Sequence, residues 1–232
     1  MKTAVVISGQ IRDAKQCFNS LHGEILLPYN ADVFIDTWIP TNSIVDHRGD
    51  LIPNDMSIDE IIFNYKPKMI NVEDFNSPFM KYIKDTAPKK TSSYDGSLAW
   101  ETKVENVFYM YYKVWRANSL KSYYEKLNGF KYDCVIRMRF DLEFGSFPII
   151  VPKKNEIYIP EGSNHRGGIN DLMALGDSDT MDKHANLFCS LNQYMNMDIG
   201  LHPESLMRSH LEQLNLDIKR FQITYKLRGN NV

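Results

Sequence analysis

The chain lacks long apolar runs and has almost no excess of charge of one sign. Its 232 residues contain 27 Lys and Arg against 29 Asp and Glu, a net charge of −2. This balance does not indicate a nucleic-acid-binding surface. No apolar run approaches the roughly 20 residues that a membrane span requires. We therefore expect no transmembrane segment, while peripheral contact with a membrane stays open.

Cysteine is scarce, and the three cysteines (Cys17, Cys134 and Cys189) are far apart and odd in number. Two of them lie within apolar patterns, which indicates buried free thiols in a reducing compartment rather than a disulfide framework. A predicted strand begins at Thr3, which leaves no room for a secretory signal peptide. These features predict a globular protein of the cytoplasm.

Two glycine-rich phosphate-binding motifs are also missing. The chain has neither a G-x-G-x-x-G sequence nor a Walker loop, which argues against a dinucleotide dehydrogenase and a P-loop NTPase. The pattern instead predicts a buried strand at 3–8, a helix over 12–27 that Pro28 ends, and a second strand at 31–38. Strand, helix and strand at this spacing form a βαβ unit, so the sequence predicts an α/β fold with a parallel sheet.

Periodic segments further along the chain predict the remaining elements. A long helix is expected over 100–127, and residues 84–97 have no periodicity and are predicted as a loop. Shorter helices are expected at 57–65, 177–194 and 203–215, and extended segments at 67–72, 156–159, 172–175 and 218–227.

The most informative segment spans residues 132–144. Its even positions from Cys134 to Phe144 are apolar, and four successive odd positions are Arg137, Arg139, Asp141 and Glu143. This alternation predicts one strand with a core face and a charged face. Two carboxylates at one strand end are hard oxygen ligands that suit Mn²⁺ or Mg²⁺, with a phosphate completing the shell. The alternative is a ladder of arginine–carboxylate pairs on a solvated face.

Polar residues follow the first two strands at the edge where parallel strands end, which is where α/β sheets bind ligands. The first strand delivers Ser8, Gly9, Gln10 and Arg12 to this edge, and the second delivers Asp36 and Trp38. Gly9 permits close approach of backbone, and Arg12 is able to pair with a phosphate. The alternative is a helix N-terminus with an incidental arginine.

Five short segments together resemble a family of small GT-A-type glycosyltransferases found in surface-polysaccharide gene clusters and in some large viruses. They are residues 3–12, 31–38, 132–144, 170–176 and 202–204. The resemblance implies a GT-A-like, Rossmann-type mixed and mostly parallel sheet flanked by helices. It also implies a single domain over 1–232, with a nucleotide-binding half at about 1–145 and an acceptor-side half at about 146–232.

The activity that this resemblance implies is transfer of a sugar from a nucleoside-diphosphate sugar to a glycan or glycolipid acceptor, assisted by Mn²⁺ or Mg²⁺. Asp141 and Glu143 would hold the ion with His202 as a further ligand, although Glu143 stands where the family motif has a second Asp. Arg139 either contacts the donor phosphates or holds the carboxylates in place. If the reaction inverts the anomeric centre, Asp171 is the expected base and Glu204 the second candidate.

Two other functions stay open. The first is a non-catalytic GT-A-like domain that binds a sugar nucleotide, or a partner, without transfer, an alternative that the Asp-Leu-Glu variant leaves open. The second is a metal-dependent nucleotidyltransferase, although residues 8–12 fit the glycine-rich opening loop of such enzymes poorly. A histidine that caps a helix and an aspartate that caps a turn are the ordinary structural interpretations of His202 and Asp171.

Overall fold

A seven-stranded sheet forms the centre of the computed structural model, which describes residues 1–39, 55–87, 104–195 and 201–228. In that part of the chain the strand order is β3-β2-β1-β4-β7-β6-β8, and β5 and β9 form a second sheet. The strands are β1 (Thr3–Gly9), β2 (Asp32–Trp38), β3 (Met69–Glu73), β4 (Cys134–Met138), β5 (Leu142–Ser146), β6 (Glu156–Pro160), β7 (Ala174–Gly176), β8 (Asp217–Phe221) and β9 (Thr224–Leu227).

Most neighbouring strands of the large sheet run parallel. This holds for β3, β2, β1 and β4 and for the pair β6 and β8, whereas β7 runs antiparallel to β4 and β6. The prediction of an α/β fold with a mixed, mostly parallel sheet flanked by helices is confirmed, and the architecture is compatible with a Rossmann-like fold.

Helices cover both faces of this sheet. They are α1 (Ala14–Leu21), α2 (Leu27–Tyr29), α3 (Ile58–Tyr65), α4 (Pro78–Thr86), α5 (Val104–Asn128), α6 (Ser178–Ala185), α7 (Leu187–Met195) and α8 (Pro203–Gln213). Ala4 and Val6 of β1 pack into the core beneath α5, while Val5 and Ile7 pack into the core beneath α1 and α3. This alternation explains why β1 is apolar at every position from 4 to 7, since both of its faces are buried.

The first helix and the predicted loop differ from expectation. Pro28 does not end the helix, because a π-helical turn (His22–Leu26) precedes it and the Leu27 N–H donates to the His22 carbonyl. This wider turn carries the helix on to Tyr29. Helix α4 extends to Thr86 because Met80 and Ile83 are buried, so the loop predicted from residue 84 is wrong at 84–86. Residues 88–97 lie outside the described part of the chain.

The segment 132–144 forms two strands instead of one. Strand β4 ends at Met138, and after Arg139, Phe140 and Asp141 the chain enters β5, which pairs with β9 in the small sheet. All six even positions from Cys134 to Phe144 are buried in one core cluster, so the prediction of a core face is confirmed. The charged positions are not a solvated face, since Arg137 and Asp141 are 3% and 1% exposed.

Candidate functional site

The carboxyl ends of β1, β2 and β4 lie side by side, as the parallel pairing predicts. Ser8 of β1 is the register partner of Asp36 in β2. Gly9 ends β1 with a φ of 108°, a conformation that glycine adopts without strain. The half-buried Gln10 follows it. The chain then reaches Arg12, while Arg139 follows directly on β4, so the first and fourth strands deliver their polar residues to the same edge.

Asp141 lies at the centre of this edge and is almost fully buried. Arg139 donates to both of its carboxylate oxygens, from Nε to Oδ1 at 2.9 Å and from Nη2 to Oδ2 at 2.6 Å. Nε of Arg12 lies 3.0 Å from the same Oδ2. Burial alone would raise the pKa of Asp141, but the charges of Arg139 and Arg12 outweigh it and hold that pKa below its ordinary value. Asp141 is therefore an ionised carboxylate bound by two guanidinium groups.

Glu143 is also bound by an arginine. Nε and Nη2 of Arg228 lie 2.6 and 2.5 Å from its Oε2, and the Arg228 backbone N–H donates to the Asp141 carbonyl at 2.9 Å. Within the described ranges, no group of three or more His, Cys, Asp and Glu side chains is placed to hold a metal ion. Asp141 and Glu143, the two carboxylates predicted to hold Mn²⁺ or Mg²⁺, each contact an arginine in the folded chain.

A second acidic group lies at the start of α8. His202 precedes the helix, and its Nδ1 lies 2.7 Å from Oε2 of Glu204. The preceding loop is pressed against this turn, since the Ile169 N–H donates to the Glu204 carbonyl at 3.0 Å and a Cβ at Gly168 would overlap the Glu204 backbone. His202 thus contacts a carboxylate rather than sharing a site with Asp141 and Glu143.

Asp171 lies between the two groups. The pKa of Asp171 is raised from 3.8 to about 6, first by burial and then by the negative charge of Glu204, while Arg137 and Arg139 oppose both. The buried Arg137 also donates from Nη1 to the Asp171 carbonyl. A carboxyl group with a pKa close to neutrality is suited to proton transfer near neutral pH. Asp171 and Glu204, the two predicted bases, are therefore neighbours in the fold.

Asp36 and Trp38 were expected to face the donor, but α5 encloses both. The Asp36 side chain is fully buried, and Nζ of Lys113 lies 2.5 Å from its Oδ1. The same Nζ lies 3.8 Å from the centre of the Trp38 ring and donates to Glu73 at 3.1 Å. The Asp36 carboxylate therefore contacts a buried lysine in the folded chain.

The sequence patterns did not identify Arg228 as a partner of Glu143 or Lys113 as a partner of Asp36. Nothing in the alternating segment 218–227 distinguishes the arginine that follows it. Lys113 interrupts the aromatic residues of α5, and a cation among aromatic side chains is a signal for a buried carboxylate partner.

The described part of the chain also contains a cavity of about 500 Å³ away from this edge. It lies at the amino ends of β1 and β4 and is lined by residues that include Met1, Lys131, Asp133, Asp177 and Asp179. None of the predicted site residues lines it.

None of the described helices is both long and apolar enough to cross a membrane. Comparison with known proteins adds no family: no protein-family model matches this chain, and no curated protein matches it either.

Proposed function

We propose that the protein is a GT-A-type glycosyltransferase that moves a sugar from a nucleoside-diphosphate sugar to a glycan or glycolipid acceptor. One observation carries the proposal: Arg12, Arg139 and the Asp171–Glu204 pair come from separate segments and meet at the carboxyl edge of the parallel strands β1 and β4. Ligands of open α/β sheets bind beyond that edge. The resemblance of five segments to GT-A-type glycosyltransferases supports the same activity.

The residues at this edge match the chemistry that glycosyl transfer needs. In an inverting reaction the acceptor oxygen bonds to the anomeric carbon while the bond from that carbon to the diphosphate breaks. The hydroxyl proton passes to a base, for which we propose Asp171, because its pKa of about 6 leaves it mostly ionised at neutral pH. Arg12 and Arg139 would stabilise the negative charge that develops on the leaving diphosphate.

A second candidate, a domain that binds a sugar nucleotide without transfer, is favoured by one observation. Both carboxylates of the Asp-Leu-Glu motif bind arginines in the folded chain. For either function we place the protein in the cytoplasm, since Cys17, Cys134 and Cys189 are all free thiols and free thiols are typical of reducing compartments.

The test is release of nucleoside diphosphate from UDP-, GDP-, dTDP- and CDP-sugars, measured with and without glycan acceptors. We expect turnover with one nucleotide class and its loss in Asp171→Asn, while Asp179→Asn on the exposed surface of α6 serves as the matched control. A nucleoside diphosphate that binds without any turnover would favour the non-catalytic candidate. If no sugar nucleotide of the panel is bound or turned over, both candidate functions are refuted.

A further inference from the structure

We infer that the donor diphosphate is held by an arginine cluster (Arg12, Arg139 and Arg228) and that its binding needs no divalent cation. The inference rests on the proposed function and names how that site recognises its substrate. In the family that the sequence resembles, an acidic motif would hold a metal ion, whereas in this fold the same carboxylates hold guanidinium groups.

The geometry separates a buried carboxylate from partly exposed cations. Asp141 is 1% exposed, while the side chains of Arg12, Arg139 and Arg228 are 28%, 20% and 30% exposed. The Asp141 carboxylate therefore lies beneath the guanidinium groups of Arg12 and Arg139 and fixes their positions, while all three arginines reach solvent. Guanidinium groups with fixed positions suit phosphate oxygens, because their planar N–H donors bind them in pairs.

Arg139 and Arg228 do not use all of their N–H donors in the bonds to these carboxylates. Arg139 donates to Asp141 from Nε and one N–H of Nη2, which uses two of the five N–H groups that a guanidinium carries. Arg228 binds a single oxygen of Glu143. A diphosphate is thus able to bind without displacing either carboxylate.

The arginine pairs also bear on metal binding. Asp141 contacts Arg12 and Arg139, and Glu143 contacts Arg228. A divalent cation at these carboxylates would have to displace an arginine from a buried carboxylate, a step that leaves a charge unpaired. A diphosphate would instead bind the guanidinium groups and leave these pairs in place.

The positions of the three arginines also fit one ligand. Arg12 follows β1 and Arg139 follows β4, which is the neighbour of β1 in the sheet. Arg228 follows β9 and is tied to the same point by its backbone bond to Asp141. Three chain segments therefore present guanidinium groups to two neighbouring carboxylates, Asp141 and Glu143, at the edge where the donor is proposed to bind.

The experiment measures binding of UDP, GDP, dTDP and CDP by calorimetry, once in EDTA and once in Mn²⁺. We expect one nucleotide to bind with dissociation constants that agree within about twofold between the two conditions. Arg12→Gln and Arg228→Gln should each weaken that binding by about tenfold or more, the usual effect of losing a charge-assisted hydrogen bond. Arg208→Gln, an exposed arginine on α8, is the matched control and should change nothing.

The outcomes separate this inference from the proposed function. Binding that requires Mn²⁺ would overturn the arginine cluster and leave the glycosyltransferase proposal standing. Metal-free binding that survives both substitutions, in variants whose melting curves show a folded protein, would overturn it as well. Failure of all four nucleotides in both conditions would overturn the inference together with the proposed function.

Discussion

Replacing Asp36 by Asn removes one charge from an ion pair in which both side chains are fully buried. Lys113 lies 2.5 Å from the Asp36 carboxylate, and removal of one partner from a buried pair costs about 3–5 kcal/mol. Lys113 keeps the Thr37 carbonyl at 3.0 Å and Glu73 at 3.1 Å, so we expect the lower end, about 3 kcal/mol. For a chain of this size, that loss lowers the melting temperature by roughly 6–12 °C.

Thermal unfolding of matched variants measures this loss. Asp32→Asn, on the same strand, removes a carboxylate that is 33% exposed and 3.3 Å from Lys68, and it should cost less than about 1 kcal/mol. The double variant Asp36→Asn/Lys113→Met removes the buried ammonium group as well and should recover most of the stability.

Two results would refute this reasoning about Asp36. The first is an Asp36→Asn variant that melts no lower than Asp32→Asn, which would mean that the buried pair contributes little. The second is a folded Asp36→Asn variant whose nucleotide affinity falls by about tenfold or more, as loss of a direct hydrogen bond to a charged ligand would cause. That loss would restore Asp36 to the donor site that the sequence predicted.

Four further predictions concern the acidic groups at the same edge and the loop that packs against Glu204. Asp141→Asn should lower the free energy of unfolding by about 3 kcal/mol, because two guanidinium groups lose a buried partner. Glu143→Gln, at a half-exposed pair, should cost less than about 1 kcal/mol in the same urea titration. The pKa of Asp171 is raised to about 6, so its protonated form contributes stability that is present below about pH 4 and lost as the pH rises through 6. The wild type should lose up to about 3 kcal/mol relative to Asp171→Asn across that range. Gly168→Ala should lower the melting temperature, because the added Cβ would overlap the backbone of Glu204. An unchanged melting temperature would show that the loop moves to accommodate the Cβ without loss of stability.

Local periodicity predicted those parts of the fold in which one face or both faces of an element are apolar. It placed β1 and β2 and the long helix α5 from Val104 onward, because burial repeats at the period of each element. It also identified the even positions of 132–144 as a core face. It did not predict that the chain leaves the large sheet after Met138, since Phe140 and Leu142 continue the same apolar alternation across the break.

The partners of buried charged side chains could not be predicted from the sequence, for a different reason. Charged residues at alternate strand positions give the same sequence pattern whether that face is exposed to water or packs against opposite charges. Arg137 and Asp141 are buried because Asp171, Arg12 and Arg139 compensate them, and Asp171 and Arg12 come from elements distant in sequence. Only the tertiary fold shows that Arg137 and Asp141, on the charged side of this segment, lie in the interior.

The same ambiguity applies to the function of the acid-x-acid motif. A metal ion and an arginine both require an ionised carboxylate at a strand end, so the motif alone does not separate them. Whether the motif binds a metal ion or an arginine depends on the charged side chains that other segments bring to it. Here Arg228 reaches Glu143 from 85 residues further along the chain, and Arg12 reaches Asp141 from the first βα connection. Because these cations come from outside the motif, binding measured without metal is a more direct test of its role than substitution of the carboxylates, whose loss would also release the arginines that they hold.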